Sequence, residues 1–142
     1  MGKSFNILKP FRIFVRLNTV SMRREIVAYG SYYKDFMATL HDKERRKVLY
    51  ILSLLENEER LPTKFIKHLL RGLYELRIKY EGNIYRIFFI FDDNKIIVLF
   101  NGFQKKTQKT PRTEVERAIK IMEDYYAYKR RNDNEHQQRD RT

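Results

Sequence analysis

The 142-residue chain contains no cysteine and no tryptophan. Without thiols there is no disulfide framework, no thiolate nucleophile and no cysteine-based metal site. That composition suits a reducing compartment, so a cytoplasmic location is expected. Three prolines and five glycines exclude a collagen-like or low-complexity chain. No apolar run approaches the roughly 18 residues that a membrane helix needs, so no membrane partner is expected. There is no Gly-rich phosphate loop, no Ser/His/Asp set and no spacing that suits metal ligands, so no cofactor or metal is expected. Asp92 and Asp93 are adjacent and read as turn formers. His68 lies beside apolar residues and reads as structural. Acidic residues are scarce too: 18 Asp and Glu stand against 30 Lys and Arg, for a formal net charge of +12.

Such an excess points to a polyanion, an acidic protein partner, or both. Its placement is more informative than its size. Residues 23–62 carry eight cations and seven acids, and residues 111–128 carry three and four. Residues 63–110 carry ten cations against four acids. The excess in the body of the chain thus sits in one segment, whereas a surface tuned only for solubility mixes its charges.

With 42% hydrophobic residues the chain can bury one core, and its length suits one domain. The leader 1–22 is cationic, but Lys9, Arg12 and Arg16 break any signal-peptide core. It reads as a flexible, dispensable leader, with Met22 as a second start. The domain is expected over 23–129, followed by a disordered polar tail over 130–142. Alternation over 24–29 predicts a first strand. Ser31 is placed to cap a helix to Leu40, with Tyr32, Tyr33, Phe36, Met37 and Leu40 on one face. Asp42 is placed to cap a second, with Val48, Leu49, Ile51, Leu52 and Leu55 at helical spacing and Lys43 to Lys47 solvated. Thr63 to Leu70 reads as one or two helical turns closed by Gly72. Thr113 and Glu116 form a T-x-x-E capping box that opens a C-terminal helix with an apolar stripe at Val115, Ala118, Ile119, Met122, Tyr125 and Tyr126.

The stretch 73–111 organises the rest. Three strand-like runs, 73–80, 85–91 and 95–103, predict an antiparallel meander. Placing the turns at Gly82-Asn83 and Asp93-Asn94 pairs Arg77 with Phe88, Lys79 with Arg86 and Arg86 with Asn101. One face then carries Glu75, Arg77, Lys79, Arg86, Phe88, Asn101, Phe103 and Lys105. The other carries Leu76, Ile78, Ile87, Phe89 and Val98 and meets the helices. The expected class is α+β: strand, two helices, three-stranded antiparallel meander and C-terminal helix, with the helices on one sheet face.

That element order, together with LYELR, YRIFFIF and LFNGFQKKTQKTP, resembles the RelE/ParE superfamily of bacterial toxins, and most of all its HigB-like branch. The resemblance spans about residues 23–129, with its specific part at 99–111. It implies a ribosome-dependent endoribonuclease that cleaves mRNA and is silenced by a cognate antitoxin, of helix-turn-helix type. The catalytic candidates it implies are Arg77, Arg86, Lys106 and Glu75, and the RNA-binding candidates are Lys79, Lys105, Phe103, Gln104, Lys109 and Arg71. Glu75 stands where RelE-like members often place a second cation, and no tyrosine follows Lys106 until Tyr125.

The chemistry stands without the resemblance. RNA carries its own nucleophile, the 2′-hydroxyl, so a protein needs to bend the strand, neutralise the phosphorane and move protons. Arginine forks suit the charge, Glu75 is a candidate base, and Lys105, Lys106 or Lys109 is a candidate acid if neighbouring cations lower its pKa. Phe88 and Phe103 are placed to stack bases. The alternatives from other classes are a non-catalytic ParE-like toxin that binds DNA gyrase and a plain RNA-binding module.

Overall fold

A computed structural model describes residues 23–141; the expectation of a dispensable leader lies outside the described residues. The strands are β1 (Glu25–Ala28), β2 (Ile66–Leu70), β3 (Leu73–Tyr80), β4 (Asn83–Phe91) and β5 (Ile96–Lys105). The helices are α1 (Tyr32–Ala38), α2 (Asp42–Asn57) and α3 (Arg112–Asp140), and a single 3-10 turn covers Thr63–Phe65. The strands form one sheet in the order β1-β5-β4-β3-β2. β1 runs parallel to β5, and every other neighbour is antiparallel. The α+β class and its element order are those the sequence predicts, with one strand added. Among the described residues no helix is long and apolar enough to cross a membrane.

The added strand corrects the helical reading of residues 64–70. Gly72 closes a hairpin, not a helix: Arg71 and Gly72 both have positive φ, 47° and 83°, as a two-residue type I′ turn requires. The next hairpin repeats the device at Glu81 and Gly82, with φ of 48° and 81°. Its turn lies one residue earlier than predicted, so Tyr80 pairs with Asn83 and Arg77 pairs with Arg86. The slip is two residues in pairing, which preserves every face of β3 against β4.

β5 holds a larger correction. Arg86 pairs with Phe103 and Phe89 with Leu99, so Phe100 and Asn101 together oppose Phe88 across a β-bulge. The extra residue changes the face of everything before it. Val98 therefore joins Leu73, Phe88, Ile90 and Phe100 on the face that meets Ala118, Ile121, Met122 and Tyr125 of α3. Helices α1 and α2 cover the other face, where Phe36, Val48, Ile51 and Leu55 pack on Leu76, Ile78, Ile87, Phe89 and Leu99. So the helices lie on both sheet faces, not on one. Gly102 lets α1 in closely: a Cβ there would stand 2.6 Å from the Phe36 ring.

The helix ends also differ in detail. His41, not Asp42, is the N-cap of α2, and its amide donates to Glu44 Oε1 at 2.9 Å in a capping box. At the other end, Arg24 Nη1 donates to the carbonyls of Leu55 and Glu58, both at 2.8 Å, and Nη2 donates to that of Glu59 at 3.0 Å. A cation thus satisfies one carbonyl of the last helical turn and two just beyond it, and ties the end of α2 to the start of β1. Arg24→Ala is expected to cost about 1–2 kcal/mol of stability, read as a fall of about 3–6 °C in Tm. An unchanged melt rules this cap out as a determinant of the fold.

α3 begins at Arg112 with Pro111 as N-cap and no side-chain cap bond, so the Thr113–Glu116 box does not form; Glu116 instead accepts from Arg112 Nε at 2.9 Å. The helix continues to Asp140 with residues 130–140 exposed, so that part of the polar segment expected to be disordered is helical. α3 is fastened to the sheet by polar ties as well as by packing. Tyr125 Oη and Lys129 Nζ both donate to Asp92, and Tyr29 Oη donates to Asp124. Asp93 is the turn former its position suggests, accepting from the Lys95 amide at 2.8 Å, but Asp92 is an anchor.

Burial pushes the Asp92 carboxyl up, yet the bonds from Lys129 and Tyr125 outweigh it and hold it below its ordinary 3.8. The same bond to Asp92 raises Lys129 above its ordinary 10.5. Asp92 therefore adds stability above pH 3.8 and loses it as the pH falls through its depressed folded value. Lys129 adds stability below pH 10.5 and loses it as the pH rises through its raised one. Asp92→Asn is expected to lower Tm at neutral pH and to flatten the acid limb of the Tm–pH curve. Parallel curves for the variant and the wild type contradict the assignment.

Candidate functional site

α3 covers only the half of its sheet face that carries Leu73, Phe88, Ile90, Val98 and Phe100. The other half is laid out by strand register in three rows. The first runs Lys67, Glu75, Phe88; the second Arg77, Arg86, Phe103; the third Lys79, Ile84, Lys105. Alternation puts these side chains on the same side of the sheet as α3, beyond the part that the helix covers except for Phe88, which packs in the α3 cluster. Cations from four strands thus converge around a single carboxylate.

That carboxylate is buried. Glu75 is 2% exposed, with Oε1 3.5 Å from Arg77 Nε and Oε2 3.7 Å from Arg86 Nε. Thr110 Oγ1 donates to Oε2 at 3.2 Å, so the 106–111 segment that follows β5 reaches from the β5 edge of the face to β3. Arg86 is buried as well, 5% exposed, and donates from Nη1 to the Tyr85 carbonyl at 3.1 Å. Both guanidinium Nε atoms are buried without a hydrogen bond, since the carboxylate lies within ion-pair reach but beyond bonding distance. Asn101, 1% exposed, donates to Glu114 of α3 at 3.5 Å, and its Oδ1 is also buried without a bond. Surplus positive charge gathered around one buried carboxylate suits an anionic ligand.

The electrostatics agree with that geometry. Burial, then the charge of Arg77, lowers the Arg86 pKa against the opposing pull of Glu75, although an arginine stays protonated regardless. Burial and the charges of Arg86, Arg77 and Lys67 hold the Lys105 ammonium below its ordinary 10.5, again against Glu75.

Of the residues expected from the sequence, Glu75, Arg77, Lys79, Arg86, Phe103 and Lys105 are brought together. Phe103 is half-buried and stacks on Phe88, with centroids 5.7 Å apart and planes at 21°. Phe88 is fully buried, so it supports Phe103 and presents no surface to a base. Lys106 and Lys109 are exposed in the segment beyond β5. Gln104 falls on the opposite face by register and donates to Asn83 Oδ1 at 3.3 Å. Arg71 lies in the β2–β3 turn, 4.0 Å from Glu123 of α3, and does not join the cluster. Lys67 and Thr110 are the additions. Lys67 was hidden by the helical reading of β2; the Arg71-Gly72 pair between two short runs is the signal that reveals it. Among the described residues no group of three or more His, Cys, Asp or Glu is placed to hold a metal ion.

Residues 35–123, which include the whole cationic half-face, match the family described as Phage derived protein Gp49-like (DUF891). The chain belongs to this Gp49-like family. The family is one of RelE-like toxins of toxin–antitoxin systems, so a cognate antitoxin is the implied partner. No curated protein matches the chain. The Gp49-like match begins inside α1 and ends within α3, so it spans β2 to β5 and all of the rows above.

Proposed function

We propose that this Gp49-like protein is a HigB-like mRNA interferase: a ribosome-dependent endoribonuclease that cleaves mRNA by attack of the 2′-hydroxyl on the adjacent phosphate. The observation that carries this reading is the pairing of Arg77 directly with Arg86, one buried and one partly exposed, beside a single carboxylate. Like charges directly opposite one another weaken a sheet. Binding a phosphodiester gives the arrangement a purpose that stability does not.

In this reading the two guanidiniums hold the scissile phosphate and neutralise charge as the phosphorane forms, each worth about 2–4 kcal/mol in the transition state. In the same reading the proton of the attacking 2′-hydroxyl leaves to water, and Lys105 protonates the leaving 5′-oxygen. It stands in the third row beside Arg86, and its depressed pKa brings proton release closer to neutrality. Lys106 and Lys109, exposed beyond β5, contact the RNA backbone, as does Lys79 at the open edge. Phe103 offers a ring face to a base. The antitoxin, of helix-turn-helix type, covers this face with acidic groups.

Primer extension on mRNA from cells expressing the chain tests the reading. In-frame cuts that require translation are expected. Intact mRNA with induction of the SOS response assigns the chain to gyrase-binding toxins instead. RNA binding without cuts or arrest makes it a plain RNA-binding module.

A further inference from the structure

We infer that Glu75 is a positioning residue, which aims the Arg77 and Arg86 guanidiniums at the RNA phosphate and moves no proton itself. The inference rests on the ribonuclease reading for its activity assays and on geometry alone for the rest.

A general base must reach the hydroxyl it deprotonates. The Glu75 side chain is 3% exposed, and both of its oxygens are occupied: Oε1 faces Arg77, and Oε2 faces Arg86 and accepts from Thr110. The carboxylate meets each arginine at Nε, not across its two terminal nitrogens. The bidentate fork is thereby left for another anion. For Arg86 one terminal nitrogen is already bonded to the Tyr85 carbonyl, which fixes the plane of the guanidinium. Arg77 has a side chain 40% exposed, and Glu75 is the acid within ion-pair reach of it among the described residues. An arginine so exposed samples many rotamers unless something holds its root. Glu75 supplies that hold, and Thr110 holds Glu75. The carboxylate also offsets part of the repulsion between two directly paired guanidiniums, so a stability role and an aiming role must be separated by experiment.

Glu75→Gln keeps the size and an acceptor for Thr110 but removes the charge. For ribosome-dependent cleavage we expect kcat to fall about 10- to 100-fold, as misplacement of a catalytic group does, with KM not raised. No limb of the kcat–pH profile should disappear, and the alkaline limb should move to lower pH, because the charge that opposes the lowering of the Lys105 pKa is gone. Binding of a single-stranded oligoribonucleotide, read by fluorescence anisotropy, should tighten, because the face gains net positive charge. The slope of log K against log salt should steepen by up to about 0.7, one phosphate's worth. Side-chain relaxation of the wild-type protein should give the Arg77 Nε–H an order parameter of about 0.8, against below about 0.6 for a flexible group.

Loss of a limb in the pH profile makes Glu75 a proton carrier and overturns the inference. Unchanged kcat reduces Glu75 to a structural ion pair. Should Glu75→Gln fail to fold, the wild-type order parameter decides: a flexible Arg77 Nε contradicts the inference. Should the wild type cleave nothing, the ribonuclease reading falls while the order parameter still judges the positioning.

Discussion

Arg77→Ala is expected to abolish growth arrest and to lower ribosome-dependent cleavage by about 10²-fold or more, the cost of deleting a group aimed at developing charge. The melting temperature should fall by less than it does for Arg86→Ala, because the loss of one ion partner of the buried Glu75 is offset by relief of the repulsion between the paired guanidiniums. The Arg77 side chain is 40% exposed, its Nε makes no hydrogen bond, and its apolar neighbours Leu76 and Ile78 point to the other face. Arg86→Ala should lose as much activity but at a greater cost in stability. Arg86 is 5% exposed, and its removal leaves the Glu75 carboxylate buried with one partner fewer. Breaking a buried pair costs on the order of 3 kcal/mol, so this variant must be compared at a temperature where it remains folded. Circular dichroism melts run beside the cleavage assay separate the two effects. An Arg77→Ala protein that folds and stays fully toxic would contradict the role given to the paired arginines.

Lys105→Ala is expected to cost more than Lys106→Ala, by about 10-fold or more, as loss of a positioned acid does. The difference comes from placement. Lys105 is half-buried in the third row, where burial and three cations lower its pKa, whereas Lys106 is exposed past the end of the strand. A general acid works only while protonated, so wild-type cleavage should fall as the pH rises through a value below 10.5. Lys105→Arg keeps the charge but holds its proton too tightly to give it up, so RNA binding should survive while the alkaline limb disappears. If Lys106→Ala proves the more damaging variant, the acid lies in the segment after β5.

The residues of the half-face were readable because pairing errors of two leave side chains on the same side. Taking Gly82-Asn83 as the turn in place of Glu81-Gly82 moved every partner in the β3–β4 hairpin, yet Glu75, Arg77, Lys79 and Arg86 stayed together. The β5 bulge is an odd displacement, and it was not readable: nothing about Phe100-Asn101 as a pair announces that both oppose Phe88. That is why Val98 was placed on the wrong face. β2 was lost to an ambiguity of glycine, which at position 72 serves equally as a helix end or as the second residue of a type I′ turn. Losing β2 hid Lys67. Burial was the other blind spot. Alternation says which side Glu75 faces, but only the long-range approach of Thr110 shows the carboxylate to be covered.

In the proposed mechanism the paired arginines serve strand cleavage, and one measurement tests this most directly. A purified ribosome programmed with a defined mRNA is incubated with the wild-type protein and with Arg77→Ala, and the RNA 3′ ends are mapped. The wild type should cut within the codon in the A site and leave a 2′,3′-cyclic phosphate, the product of 2′-hydroxyl attack, while Arg77→Ala should leave the mRNA intact. Uncut mRNA with the wild type, or equal cutting by both proteins, would contradict the account.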